Sequence, residues 1–254
     1  MPPGRKEISG LLNPLMTVCP SKPFSFSLNA AIAALALLVT ACTKPPATTI
    51  ALSGQMDVLG PVPALEPNPI PRDWVTQGTP TPGQLTVVER DGVPALKVIN
   101  GATSIITVKP AVASLLATPY FSWAWNMEPQ KDGPHPVRLV VGFVGGNPGT
   151  RAKGALPPHD RALSIVWGLS ALQRGSINLP QSTKGRQAAA RYIARGGQEN
   201  TGTWWFETID LSDIYRRTWP NDDAGQVQIT FMGIAAAPGQ TPTKGYVSGL
   251  RLSR

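Results

Sequence analysis

The chain has 254 residues, with 23 lysines and arginines against 15 aspartates and glutamates and a formal net charge of +8. Its two cysteines, Cys19 and Cys42, both precede residue 43. The residues that follow can therefore form neither a disulfide with one another nor a thiolate metal site, and their stability must come from packing. They are numerous enough for one domain with a hydrophobic core.

An apolar run near the start of the chain, NAAIAALALLVTAC, covers Asn29 to Cys42. Its apolar core, Ala30 to Val39, is too short to span a hydrocarbon core of about 30 Å, so we expect a cleaved export signal. The run ends in VTAC, which resembles a bacterial lipobox. This resemblance implies that Cys42 receives diacylglycerol on its sulfur and becomes the acylated N-terminus. An ordinary signal peptide with a chance cysteine is the alternative.

A lipoprotein signal peptide over residues 1–42 predicts a protein of the cell envelope, attached to the membrane through lipidated Cys42. Thr43, and not aspartate, follows the cysteine. By resemblance to lipoprotein sorting in Gram-negative bacteria, this favours the outer membrane, facing the periplasm. Nucleic acid is not an expected partner there. Two start sites stay open, because Met16 gives a more usual signal layout than Met1.

Residues 43–82 are rich in proline, alanine, threonine and glycine, as in KPPATT and PVPALEPNPIPRDW. Proline fixes φ and removes an amide donor, which favours extended, solvated backbone. We therefore expect a tether that holds the following domain away from the membrane. Trp74, near its end, is expected to dock on that domain.

Short apolar stretches with close to period-two alternation indicate an all-β domain over residues 83–254. Strands at 84–89 and 93–99 flank an Asp91-Gly92 step that suits a tight hairpin turn. A third strand is predicted at 104–108. The next stretch, PYFSWAWNM, places four residues that we expect in the core on one face: Phe121, Trp123, Trp125 and Met127.

Residues 137–144 are nearly continuously apolar, as in a central strand covered on both faces. Further strands are predicted at 163–167, 189–194, 204–209, 227–235 and 246–252, with long loops at 145–161 and 174–187. Asp210 as a cap and Asp213 in the first turn support a short helix through about residue 217. The predicted fold is all-β: a two-sheet β-sandwich, jelly-roll or galactose-binding-like, with one short helix. A partly open barrel is the alternative.

The order of these motifs resembles the bacterial family catalogued as domain of unknown function 3047. The motifs are PYFSWAWNM, HPVRLVVGFVGG, LSIVWG, ARYIARGG and TGTWWFETIDLSDIYRR, within residues 74–254. The resemblance implies a secreted or lipid-anchored sandwich related in shape to carbohydrate-binding modules, and it brings no activity. The residues matched to the family's motifs are Trp125, Arg138, Trp167, Gly202, Trp204, Glu207, Asp213 and Tyr215.

The chain departs from the family pattern in two places. It has Pro134-His135-Pro136 ahead of the Arg138 strand, where the family tends to have aspartates. It also has AAAPGQTPTKG over residues 235–245, where the family tends to have an Asp- and Asn-rich turn. An acidic or cation site formed there would be lost in this chain.

Hydrolysis of a sugar bond needs two carboxylates about 5–10 Å apart. Glu207 is the candidate for one of them, because it shares a strand face with Trp205 and Ile209. No second carboxylate obviously joins it, so we expect Glu207 to pair with an arginine, and no catalytic residue is assigned. No cofactor is predicted, because the glycine motifs for nucleotides are absent. No metal site is predicted, because His135 and His159 lack metal-ligand spacing.

Residues 151–195 carry eight basic side chains against one acidic side chain, Asp160, a net charge of +7. If their two loops lie at one end of the sandwich, they would attract phosphate or carboxylate groups of an envelope polymer or lipid headgroup. A solvated, screened surface is the alternative. The basic residues are Arg151, Lys153, Arg161, Arg174, Lys184, Arg186, Arg191 and Arg195.

The sequence thus predicts a non-catalytic binding domain for an anionic envelope glycan or lipid, such as lipopolysaccharide or peptidoglycan. Tryptophans could stack on sugar faces, although such residues also build cores. The alternatives are a structural lipoprotein with a protein partner and, third, a glycan-active hydrolase. The ligand-binding candidates are Trp125, Arg138, Trp167, Arg195, Trp205 and Glu207.

Overall fold

The computed structural model describes residues 47–60, 63, 65, 70–131, 133–146, 152, 154–179 and 189–254. Thirteen strands lie within them: β1 (Gln55–Asp57), β2 (Val75–Gln77), β3 (Leu85–Arg90), β4 (Val93–Ile99), β5 (Ile105–Ser114), β6 (Tyr120–Met127), β7 (Val137–Val144), β8 (Arg161–Gly168), β9 (Ile177–Asn178), β10 (Ala190–Gly196), β11 (Trp205–Asp210), β12 (Gln228–Ala236) and β13 (Lys244–Ser253). The described residues also contain one α-helix, α1 (Leu211–Thr218). Short 3₁₀ turns cover Ala171–Gln173, Gln198–Asn200 and Ala224–Gln226.

The strands form two sheets, so the predicted two-sheet β-sandwich with one short helix is confirmed. The first sheet has the order β11-β6-β13-β4-β3, with β1 also paired to β13. The second sheet has the order β2-β5-β12-β7-β8-β10-β9. Pairing is antiparallel except between β8 and β10, which run parallel. The strand predicted to be central, β7, lies in the middle of the second sheet.

The core lies between the inner faces of the two sheets, where alternate side chains of each strand meet. On β6 these are Phe121, Trp123, Trp125 and Met127, each with 0% of its surface exposed. This confirms that they are core residues. On β7 the inward residues are Val137, Leu139, Val141 and Phe143. The alternation turns Arg138 and Val140 to the outer face of the second sheet.

Two local predictions from turn and cap chemistry are confirmed. Asp91 and Gly92 join β3 to β4 with φ of 53° and 77°, the positive values that a two-residue hairpin turn requires. Asp210 caps α1, because its carboxylate accepts hydrogen bonds from the amides of Ser212 (2.8 Å) and Asp213 (3.0 Å). Arg216 and Arg217 lie in the last turn, where a cation complements the helix dipole.

The prediction of a solvated tether over residues 43–82 is wrong for the parts of it that the structure describes. β1 pairs with β13, and β2 pairs with β5. Met56, Leu59 and Leu65 are at most 1% exposed and belong to the main core. The prolines separate these apolar residues without preventing short edge strands. Trp74 docks on the domain as expected and is 6% exposed.

Within the described part of the chain, no helix is both long enough and apolar enough to cross a membrane. The predicted signal peptide and Cys42 lie outside the described residues.

Candidate functional site

A cavity of about 400 Å³ lies at one end of the outer face of the second sheet. Its base comes from β7, β8 and β10, through Arg138, Val166 and Arg191. Its walls come from two connections: the β6–β7 connection, through residues 130–131 and 134–136, and the β12–β13 connection, through residues 237–241 and 243. A cavity of this size suits a small molecule or one unit of a larger ligand.

Backbone hydrogen bonds fix the walls against the sheet. The amide of His135 donates to the carbonyl of Trp167 at the end of β8, at 3.0 Å. The amide of Ala237 donates to the carbonyl of Pro136, at 2.9 Å. Asn100 holds the far wall, because its Oδ1 accepts from the amide of Thr243. The concave shape is therefore built into the fold.

Two arginines share the base of the cavity and lie diagonally across β8. On one side of β8, Arg138 pairs in register with Val166. On the other side, Arg191 pairs with Ser164, two residues before Val166 on the same strand. Burial and the charge of Arg191 both lower the pKa of Arg138. The two positive charges are thus close enough to repel each other.

The described residues that line this cavity include basic side chains and no acidic ones. None of these described residues is an aspartate or glutamate, while Lys131 adds a third basic side chain. None of the described salt bridges involves Lys131, Arg138 or Arg191. The described lining of the cavity therefore carries an excess of positive charge around the half-buried Arg138, which favours an anion.

Three lining residues also carry a buried polar atom without a hydrogen-bond partner: Arg138 Nε, His135 Nε2 and Gln130 Oε1. Buried polar atoms are almost always paired in native proteins, so a cluster of exceptions needs an explanation such as a ligand or water. His135 is neutral at physiological pH, since burial lowers its pKa to about 4. Its Nδ1 accepts from the amide of Val137, at 3.2 Å.

A second charged cluster joins the two sheets on the inner side. Glu207 of β11 is 2% exposed and binds two arginines. Its Oε2 accepts from Arg174 Nη2 at 2.8 Å, and its Oε1 accepts from Arg195 Nε at 2.5 Å. The guanidinium of Arg195 also lies 3.7 Å from the centre of the Trp205 ring, in cation–π contact. The expected pairing of Glu207 with an arginine is therefore observed, with two arginines.

The six predicted ligand-binding residues consequently fall into three groups. Only Arg138 lines the cavity. Arg195, Trp205 and Glu207 form the inner ion-pair cluster, in which Glu207 is too buried to meet a ligand. Trp125 and Trp167 are 0% and 1% exposed. The interpretation of these two tryptophans as a stacking surface for sugars is wrong, because their rings pack against each other in the core at 5.5 Å.

The basic run is less charged than its composition suggested. Arg161 forms two hydrogen bonds with Asp222, at 2.8 and 2.9 Å, and Arg174 and Arg195 share Glu207. Two carboxylates outside the run, Asp222 and Glu207, thus pair with three of its arginines, and Arg191 of the same run lines the cavity. The other four basic residues of the run lie outside the described residues: Arg151, Lys153, Lys184 and Arg186.

Sequence reasoning missed Lys131, Gln130 and His135 as members of the site. Among the described residues, no group of three or more histidine, aspartate, glutamate or cysteine side chains could hold a metal ion. The sequence feature that could have indicated this site is Arg138, a single charged residue inside an apolar strand. A charge in that position needs a partner or a polar cavity beside it.

Neither a family model nor a curated protein matches this chain. Solved structures do match. The family 11 carbohydrate-binding module from Clostridium thermocellum in complex with a mixed-linked tetrasaccharide shares 10% identity, with 80% of this chain and 97% of that chain covered and a TM-score of 0.36. A family 12 xyloglucanase from Bacillus licheniformis shares 8% identity, with 82% and 96% covered and a TM-score of 0.39.

Endoglucanase 3 from Trichoderma harzianum shares 11% identity, with 83% of this chain and 95% of that chain covered and a TM-score of 0.38. TM-scores below 0.5 leave these similarities too distant to identify a shared fold or activity. The sandwich architecture rests on the strand pairing of this chain. The resemblance to family 3047 stays a prediction.

Proposed function

We propose that this protein is a lipid-anchored, non-catalytic protein of the cell envelope that binds an anionic envelope glycan or lipid in the cavity of Arg138 and Arg191. The observation that carries this proposal is the pair of neighbouring guanidiniums without a described carboxylate partner. Arginine forms strong charge-assisted hydrogen bonds with carboxylates and phosphates. A bound anion would offset the repulsion within the pair and could accept from the donors that line the cavity.

The absence of a described carboxylate from the cavity favours binding over hydrolysis, because glycoside hydrolysis generally uses two carboxyl groups. Glu207, the candidate for a general acid, holds an arginine on each oxygen and is 2% exposed. A general acid must instead present a proton to its substrate. The ion-pair cluster therefore supports a structural role for Glu207.

The binding proposal is tested by cosedimentation of residues 44–254 with purified peptidoglycan and with lipopolysaccharide. These residues form one compact unit. We expect saturable, salt-sensitive binding to one of the two, weakened at least about tenfold in the Arg138→Ala/Arg191→Ala double variant. Arg216→Ala, which removes an exposed arginine of α1 outside the cavity, is the matched control. Equal binding by the double variant and the control would contradict the proposal.

The lipid anchor is a separate part of the proposal and rests on the lipobox-like VTAC. We expect the wild-type chain to fractionate with membranes after expression in a Gram-negative host, and Cys42→Ser to lose this association, because the acyl chains supply the membrane affinity. Cys19→Ser controls for loss of a cysteine as such. Membrane association of Cys42→Ser equal to that of the wild type would contradict lipidation at this residue.

A protein-interaction lipoprotein is the second candidate, and the exposed outer side of β11 favours it. β11 lies at one end of the first sheet, and its outward Phe206 is 67% exposed. Tyr120 on the paired strand β6 is 43% exposed. Exposed aromatic residues beside an edge strand suit a protein contact. Failure of both polymers to bind would favour this candidate.

A further inference from the structure

We infer that the group held by the Arg138–Arg191 cavity is a phosphate monoester in its doubly charged form, carried on a sugar or on a lipid headgroup. This inference rests on the proposed function and narrows it to one ligand chemistry. It draws on the number of charges in the cavity, the kinds of donor that line it, and its size.

The three basic side chains of the cavity favour a ligand group with more than one negative charge. Two guanidiniums lie close enough for the charge of one to lower the pKa of the other. Lys131 adds a third positive group at the wall. A single carboxylate would neutralise one of these groups, whereas a phosphate monoester carries close to two charges at neutral pH. The dianion therefore matches the arginine pair.

The donors of the cavity also fit a phosphate better than a carboxylate. A carboxylate has two oxygens, while a phosphate monoester presents three strong acceptor oxygens around a tetrahedral centre. Arg138 of β7 and Arg191 of β10 lie on opposite sides of the intervening strand β8, and Lys131 lies on a connecting segment. Donors that come from three directions suit a tetrahedral acceptor, whereas a flat carboxylate is best met by one guanidinium fork.

The size and lining of the cavity indicate how the rest of the ligand enters. A volume of about 400 Å³ holds one phosphorylated unit and is too small for a long stretch of polymer. No aromatic ring besides the imidazole of His135 lines it among the described residues. Sugar-face stacking therefore does not drive recognition here, and the acidic group does. The phosphate enters as a chain end or a substituent.

Among the described groups around the cavity and a bound phosphate, only the phosphate is expected to titrate between about pH 5 and pH 7.5, because lysine and arginine ordinarily titrate far above this range. Burial lowers the pKa of His135 to about 4, so it stays neutral. Glu128, whose charge reaches His135, is paired with Lys244 at 3.4 Å. The second pKa of a phosphate monoester is about 6, so near pH 5 only about one tenth of it remains doubly charged.

The test compares glucose 6-phosphate with glucuronate, which differ in their acidic group, by calorimetric titration of residues 44–254. Near pH 7.5 we expect glucose 6-phosphate to bind at least about tenfold more tightly than glucuronate. Near pH 5 the affinity for glucose 6-phosphate falls by about tenfold, while that for glucuronate changes little. Arg191→Ala, at an exposed position, is expected to weaken the binding of glucose 6-phosphate by at least about tenfold, and Arg216→Ala to leave it unchanged.

Vesicles separate the two sources of phosphate. Phosphatidylcholine vesicles with phosphatidate present a lipid-borne monoester, and those with phosphatidylglycerol present a diester of the same lipid class. Arg191-dependent binding to the phosphatidate vesicles supports a lipid source. Binding of glucose 6-phosphate without binding to these vesicles supports a soluble or glycan-borne source.

Other outcomes overturn the inference, and they distinguish it from the proposed function. Glucuronate binding as tightly as glucose 6-phosphate, with Arg191-dependence, overturns the phosphate assignment and leaves an anion-binding cavity. A further outcome is that both small acids fail to bind while envelope polymers still sediment the protein through Arg138 and Arg191. That result also overturns the phosphate assignment and leaves the proposed function in place. Binding of every ligand without dependence on either arginine removes both the inference and the proposed function.

Discussion

Replacement of Glu207 by alanine is expected to lower the free energy of unfolding by about 3–5 kcal/mol, the usual cost of removing one partner from a buried ion pair. Glu207 is 2% exposed, and each of its oxygens binds an arginine. Without it, Arg195, whose side chain is 13% exposed, keeps a buried charge with no described carboxylate partner. Arg174 is 57% exposed at its side chain and can be solvated, so most of the cost falls on Arg195.

Urea unfolding of residues 44–254 measures this loss. Glu89→Ala is the matched control, because Glu89 is an exposed strand glutamate, and it should change the free energy of unfolding by no more than about 0.5 kcal/mol. Arg174→Ala should cost about 1 kcal/mol or less, as expected of a mostly exposed ion-pair partner. Equal midpoints for Glu207→Ala and Glu89→Ala would show that the cluster does not hold the sheets together.

Replacement of Trp125 by alanine is expected to cost a similar amount, about 3–5 kcal/mol, because it opens a large cavity between the sheets. The Trp125 ring is 0% exposed and packs edge-on against Trp123 and Trp167, with centroid distances of 5.2 and 5.5 Å. Close packing leaves the surroundings little room to relax into the space.

Phe206→Ala provides the comparison, since Phe206 also lies on the first sheet but is 67% exposed. Its removal should change the free energy of unfolding by no more than about 0.5 kcal/mol. A Trp125→Ala variant that unfolds like the wild type but no longer binds envelope polymer would restore the sugar-stacking interpretation of this residue. A stability loss without a specific binding loss agrees with its place in the core.

Local sequence signals predicted the elements of the sandwich well. The β3–β4 hairpin depends on the positive φ of Asp91 and Gly92, and α1 depends on the Asp210 cap. Both are properties of a few adjacent residues. The segment before residue 83 was predicted less well, because proline content hides isolated apolar residues such as Met56. Whether Met56 is buried depends on β13, about two hundred residues away in sequence, and no local pattern contains that contact.

The candidate site was predicted in part, through Arg138 and through Arg191 of the basic run. Arg138 was named through the resemblance to family 3047, and its charge within an apolar strand is the local signal that supports it. Lys131 and Gln130 come from a connecting segment that joins the site through tertiary contacts alone. The tryptophans of β6 are a different case, because strand alternation correctly placed them on one face that was expected in the core, yet Trp125 also remained a candidate for ligand binding. Packing against Trp167 of the opposing sheet decides between these two roles.

The most direct test of an anion-binding cavity is NMR of the arginine side chains in residues 44–254. Arg138 Nε is buried, so its N–H should give a protected signal that reports on the cavity. Addition of lipopolysaccharide or of soluble peptidoglycan fragments is expected to shift or broaden the Arg138 and Arg191 signals saturably and leave that of Arg216 unchanged. Saturable binding of either ligand with no change at Arg138 and Arg191 would place recognition elsewhere on the sandwich and contradict the account.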